Sequence, residues 1–99
     1  MKIAISSNSK TINGEVSEIF GRCPYFIIME DGKVIEVIKN ISINQRGGAG
    51  ISAAKLVAEK NVDAVMAGNI GPRALSVLKQ FNIKTYLKKG LIKNAVSGL

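Results

Sequence analysis

Ninety-nine residues, 46% apolar and 21% charged, suffice for one buried core and are too few for two, so the expectation is a single domain spanning 1–99. No apolar run nears the roughly 18 to 20 residues that span a bilayer, and MKIAISSNSK turns polar too early for a secretory signal, which points to the cytoplasm and excludes membrane insertion. The formal charge of +7 favours anionic partners, but the lysines are scattered, with no run longer than Lys88 and Lys89, unlike a nucleic-acid-binding tail.

KIAIS, Lys2 to Ser6, reads as a first strand, followed by a Ser, Asn, Thr and Gly loop to Gly14. The next segment, FGRCPYF, places the single cysteine, Cys23, beside Arg22, between a glycine and a proline. A free cysteine is often a small buried hydrophobe, but the adjacent proline and the polar neighbours before it argue for exposure, as a soft thiolate donor at the bend. YFIIME and KVIEVIK, joined by Asp31 and Gly32, predict a β-hairpin. A loop from Asn40 ends in RGGAG. The helix expected in GISAAKLVAEK would then place Ile51, Ala54 and Ala58 on one face. DAVMAG is a nearly unbroken apolar run, as expected of a central strand covered on both faces. GPRALSVLKQF carries proline at the first helical position, with Ala74, Leu75, Leu78 and Phe81 on one face and Asn82 as a stop. IKTYL supplies a last strand, and LIKNAVSGL a short terminal helix or a frayed end.

The order is β-β-β-α-β-α-β, an α/β fold with a mixed five-stranded sheet. The two crossover helices require parallel strands, and the hairpin requires antiparallel ones. If the first strand points up, the hairpin runs down and up and the last two strands point up. The loops after strand one, before the first helix and before the second helix then emerge at one edge, where open α/β sheets place ligands. All three arginines, Arg22, Arg46 and Arg73, lie in those loops. Arginine holds anions through a fixed fork of donors, helix N-termini add N–H groups, and Gly47, Gly48, Gly50, Gly68 and Gly71 admit close approach. Cys23 sits at the same edge as a candidate metal ligand.

Other chemistries fail on residue type or spacing. GAGISA matches a dinucleotide glycine pattern but lies some distance beyond the preceding strand, no Gly-Lys-Ser or Gly-Lys-Thr makes a P-loop, and one cysteine with no histidine builds no closed zinc site. The absence of histidine also removes the usual general base and any Cys-His pair, so catalysis is not expected. A two-metal nuclease needs carboxylates at strand ends, and KIAIS has none.

With these motifs placed, VSEIFGRCPYF, GGAGISAAKLV and VDAVMAGNIGPRALSVLKQFNIKTY resemble, in order and separation, the dinitrogenase iron-molybdenum cofactor biosynthesis family, over nearly the whole chain. That family includes NifX-like carriers of nitrogenase cofactor precursors. The resemblance implies a ribonuclease-H-like three-layer fold and a protein that binds or carries an iron-sulfur or iron-molybdenum cluster, without enzymatic activity. It implies metallocluster assembly or acceptor proteins as partners, with nucleic acid not expected among them. The site it suggests comprises Arg22, Cys23, Arg46, Gly47, Gly48, Gly50, Asn69, Gly71 and Arg73, with Cys23 alone able to ligate metal. One thiolate falls short of four-cysteine ligation, so binding would be weak, shared between subunits or largely electrostatic. A partner-binding or regulatory domain without a cofactor, or a non-catalytic nucleic-acid module, remains open on the residues alone.

Overall fold

Asp31 and Gly32 both take positive φ, 51° and 81°, as a type I′ turn requires, and they join two strands into the hairpin the sequence predicts, with a shift of register between Ile28 and Met29. These are β2 (Tyr25–Glu30) and β3 (Lys33–Lys39) of a computed structural model that describes residues 1–99. The remaining elements are β1 (Lys2–Ser7), α1 (Ala49–Ala58), β4 (Ala64–Ala67), α2 (Pro72–Gln80), β5 (Lys84–Leu87) and α3 (Ile92–Val96).

The strands form one sheet in the order β3-β2-β1-β4-β5. β1 pairs parallel with β4 and antiparallel with β2, and β4 pairs parallel with β5, so every strand direction is the one inferred. Strand order itself does not follow from directions, and the structure supplies it by putting β1 at the centre. The two faces of the sheet sort by the period-2 alternation of its strands. Ala4, Phe26, Ile28, Val65 and Ala67 pack against Ala53, Ala54 and Val57 of α1 and Ala74 and Leu78 of α2. Ile3, Ile5, Ile27, Met29, Ala64 and Met66 pack with Ile92 and Ala95 of α3 on the other side. All four β4 residues are buried, as a strand covered on both faces should be.

Two helix faces differ from expectation. The buried stripe of α1 is Ala49, Ala53, Ala54 and Val57, whereas Ile51 and Ala58 are only half-buried. The helix starts before Gly50 and leans on its alanines, because small side chains let it approach the sheet closely. Phe81 is the C-cap of α2 and is exposed, since the core-facing stripe ends with Leu78. Asn82 is the expected stop, adopting a left-handed φ of 58°. The terminal segment forms α3.

Candidate functional site

The loops at the C-terminal end of β1 and β4 are stitched into one surface by backbone bonds. Ser17 N donates to Ser6 O (2.8 Å), Gly68 N to Ser17 O (2.9 Å) and Phe20 N to Asn69 O (2.9 Å), so the segment after β1 runs beside the exit of β4. A Cβ at Gly68 would lie 2.8 Å from Glu18 O, so this approach requires glycine. Gly21, at φ 96°, brings the chain against the first turn of α1, where an added Cβ would sit 2.8 Å from Gly50 Cα. Gly50 in turn faces Ala74, its hypothetical Cβ 3.1 Å from the alanine Cβ, which brings the first turns of α1 and α2 together.

Between those turns lies a cleft of about 370 Å³, lined by Ile19, Phe20, Arg22, Gly48, Ala49, Gly50, Ile51, Gly71, Pro72, Arg73 and Ala74. Both helices start uncapped. Gly48 and Gly71 stand at the N-cap positions, no side chain bonds to either helix start, and neither first turn carries an acid. The N–H groups of Ala49, Gly50, Ile51, Arg73 and Ala74 meet no protein acceptor, so both helix starts keep unsatisfied donors beside the cleft. Arg22 and Arg73 border the cleft and neither forms an ion pair. Arg22 is also anchored: its Nη1 donates to Ile43 O (3.0 Å) and Gln45 O (2.6 Å), holding the strap between β3 and α1. The combination is positively polarised, shallowly apolar in its walls and free of carboxylates.

Of the residues expected here, Arg22, Gly48, Gly50, Gly71 and Arg73 line the cleft, and Arg46, Gly47 and Asn69 do not. Arg46 is exposed on the strap, Gly47 O accepts Gln45 Nε2 (2.6 Å), and the Asn69 backbone pairs with the segment at Ile19 and Phe20. The expectation of an exposed Cys23 thiolate is corrected. Cys23 is fully buried in the core beneath α1 and α2, with Phe20 and Phe26 among its cluster. The reason is Asn40, itself 1% exposed, whose Nδ2 donates to Gly21 O (3.0 Å) and Cys23 O (2.8 Å). With its carbonyls satisfied internally, the bend can be buried although its residue types suggest a surface. Burial pushes the Cys23 thiol above its ordinary value, outweighing the nearby Ser6 hydroxyl and backbone groups that pull it down. The Ser6 Oγ forms no well-shaped hydrogen bond with any protein atom. No group of three or more His, Cys, Asp or Glu residues is placed to hold a metal ion.

Sequence reasoning missed the apolar walls, Ile19, Phe20, Ile51 and Pro72, because apolar residues at element ends read equally as core. Asn40 was also missed, since its only signal was its place at a strand end before a loop.

A family model described as dinitrogenase iron-molybdenum cofactor matches residues 1–99. An uncharacterised protein of Methanocaldococcus jannaschii is 40% identical over 90 residues, covering 87% of this chain and 73% of that protein. The apo form of the orange protein from Desulfovibrio gigas superimposes with a TM-score of 0.87 at 26% identity, over 97% of this chain and 83% of that one. A putative NifB protein from Thermotoga does so with a TM-score of 0.80 at 29% identity, over 98% and 84% of the two chains. The likeness to these structures reaches across the sheet and all three helices.

Proposed function

Because this chain belongs to the dinitrogenase iron-molybdenum cofactor family, we propose that the cleft between the first turns of α1 and α2 binds an anionic iron-sulfur or iron-molybdenum cofactor, or its precursor, as cargo. The observation that carries this reading is the convergence of two uncapped helix starts, with acceptor-free N–H groups, beside the unpaired Arg22 and Arg73. Hydrogen bonds and charge hold the cargo, since the only thiol is buried beneath the site and protonated at neutral pH. A cluster that arrives with its own sulfide or organic ligands suits such a site, because nothing here completes a metal's coordination. The site binds and releases rather than catalyses: no titratable acid or base lines the cleft besides the arginines. Its partners are the assembly or acceptor proteins that load and unload the cargo. We read the β3-β2-β1-β4-β5 order with helices on both faces as the ribonuclease-H-like arrangement of the family.

Anaerobic titration with isolated iron-molybdenum cofactor, and separately with iron and sulfide, tests this through metal content and visible absorption after gel filtration. The wild type and Cys23→Ala should retain colour and metal alike, and Arg73→Gln should lose them. Uptake that depends on Cys23 and not on Arg73 would sink the electrostatic site. No uptake by the wild type would favour a partner-binding domain without a cofactor.

A further inference from the structure

β3 is an open edge of the sheet. Asn40 N donates to Pro24 O (2.9 Å), so strand alternation turns the N–H and C=O groups of Val37 and Lys39 away from β2, and none of these groups meets a protein partner. The side chains are unusual for an edge facing only water. Val37 and Val34 lie opposite Ile27 and Met29, on the face that α3 covers further in, yet α3 is too short to reach them and they are 39% and 44% exposed. The register shift between Ile28 and Met29 sets the extra residue Ile35, 49% exposed, between them. Val34 and Val37 thus share one face beside the unpaired backbone groups of Val37 and Lys39, and the bulge turns Lys33, opposite Glu30, to the other face from Lys39, opposite Tyr25.

Charge says what can lie there. The charge pattern of KVIEVIK is symmetric about Glu36, so antiparallel pairing with a second copy, centred there, brings the lysine-bearing ends of the two strands together and sets Glu36 against Glu36, between two chains that each carry +7. That arrangement guards against self-association. Glu36 is meanwhile neutralised by Lys60 Nζ at 2.8 Å, which leaves Lys33 and Lys39, both exposed and without ion-pair partners, as the charges a docking strand would meet.

We propose that the β3 edge docks an extended segment of another protein, adding a strand that carries acidic residues opposite Lys33 and Lys39, one on each face, and apolar residues opposite Val34 and Val37. Main-chain hydrogen bonds supply the attachment and the two lysines its selectivity. The inference is independent of what the cleft holds, so neither fails with the other.

The probe is the peptide acetyl-Glu-Thr-Val-Thr-Val-Glu-amide, whose six residues match the six that β2 sets against the bulged β3, titrated into isotope-labelled protein and followed by the amide signals and hydrogen exchange of Val37 and Lys39. Its counterpart with lysine at both ends is the control. The acidic peptide should bind about tenfold more tightly, from two cross-strand pairs changing from repulsive to attractive, and should slow exchange at those amides. The Lys33→Glu/Lys39→Glu variant should invert the preference, which a response to net charge alone would not do. Val37→Pro, which removes an outward N–H at a position an edge strand tolerates, should abolish binding of either peptide. Equal binding of both peptides, no saturable binding of the acidic one, or an unchanged preference in the charge-reversed variant would overturn the proposal. So would sedimentation showing that the wild type dimerises and that Val37→Pro restores the monomer.

Discussion

The two ends of the sheet treat charge in opposite ways. At the end that holds the hairpin turn, acids are used internally: Asp31 takes the terminal ammonium at 3.2 Å, and Asp63 Oδ2 accepts Lys2 N at 2.8 Å. At the other end two helices begin without cap or acid, and Arg22 and Arg73 stand beside them without ion partners. An N-terminal cap is worth about 1 kcal/mol, so leaving two helices uncapped is a cost that a folded domain could easily have avoided. Stability is thus built at one end, and the other leaves its helix starts and arginines unpaired.

The glycines sharpen that contrast most. Gly21 and Gly32 both have positive φ, but a methyl group at Gly21 collides with the α1 backbone, whereas one at Gly32 meets nothing within 4 Å. We predict that Gly21→Ala destabilises the protein by about 3 kcal/mol, combining conformational strain with a clash against backbone that cannot yield. Gly32→Ala should cost about 1 kcal/mol, from conformation alone. Thermal unfolding followed by circular dichroism should show a drop of roughly 12 °C or more for the first and clearly less for the second. Similar drops would mean that the cleft end is no more tightly constructed than the hairpin.

Next in size is the effect on cargo. Losing a charge-assisted hydrogen bond costs about 1.5–3 kcal/mol, so Arg73→Gln should weaken cofactor binding by roughly tenfold to a hundredfold. Arg73 is the cleaner test, because Arg22 also holds the strap through Ile43 O and Gln45 O and its loss would disturb the loop. The control of like charge change is Lys84→Gln, a residue at the start of β5 and so at the far end of the sheet, which should alter binding by less than about twofold. Equal losses would show that net charge accounts for the binding.

The fold was largely legible because its signals are local. Asp31-Gly32 between two alternating runs, Pro72 at a helix start and the apolar run at β4 each fix an element by backbone or burial chemistry alone, and crossover rules then fix the directions. Strand order needs long-range pairing, which no local pattern encodes. The site was half legible. Strand directions brought Arg22 and Arg73 to one edge, but they could not tell which loop residues face inward. Arg46 lies in the right loop and outside the cleft. Cys23 was misjudged because its burial depends on Asn40, seventeen positions away, whose amide replaces water for the carbonyls of the bend.

That burial makes a prediction of its own. The folded state raises the Cys23 thiol above its ordinary value, so it binds that proton more tightly than the unfolded chain does. The stabilisation is fully present below the ordinary thiol pKa of about 8.5 and is lost as pH rises through the higher folded value. Denaturant unfolding of the wild type should therefore show stability falling above about pH 8.5, and Cys23→Ala should lose that component of the slope while binding cargo within about twofold of the wild type. An identical pH dependence in the two proteins would return Cys23 to solvent, and with it the option of a thiolate ligand.

Among the arginines the smallest effect is expected at Arg46, and it tests where the site ends. Arg46 follows Gln45, whose carbonyl receives Arg22, yet its own side chain is exposed and forms no hydrogen bond or ion pair. Near the cleft but not lining it, Arg46 adds only a screened, solvent-level attraction, worth well under 1 kcal/mol. Arg46→Gln should then weaken cofactor binding by less than about threefold at 0.15 M salt, and the difference should shrink further at higher salt, while the Arg73→Gln loss persists because hydrogen bonds to a partly enclosed anion are screened less. The measurement is the same anaerobic titration repeated at two ionic strengths. A loss at Arg46 that matched Arg73 and survived high salt would mean that the strap folds over the cargo, and would extend the site from the helix starts to the whole loop between β3 and α1.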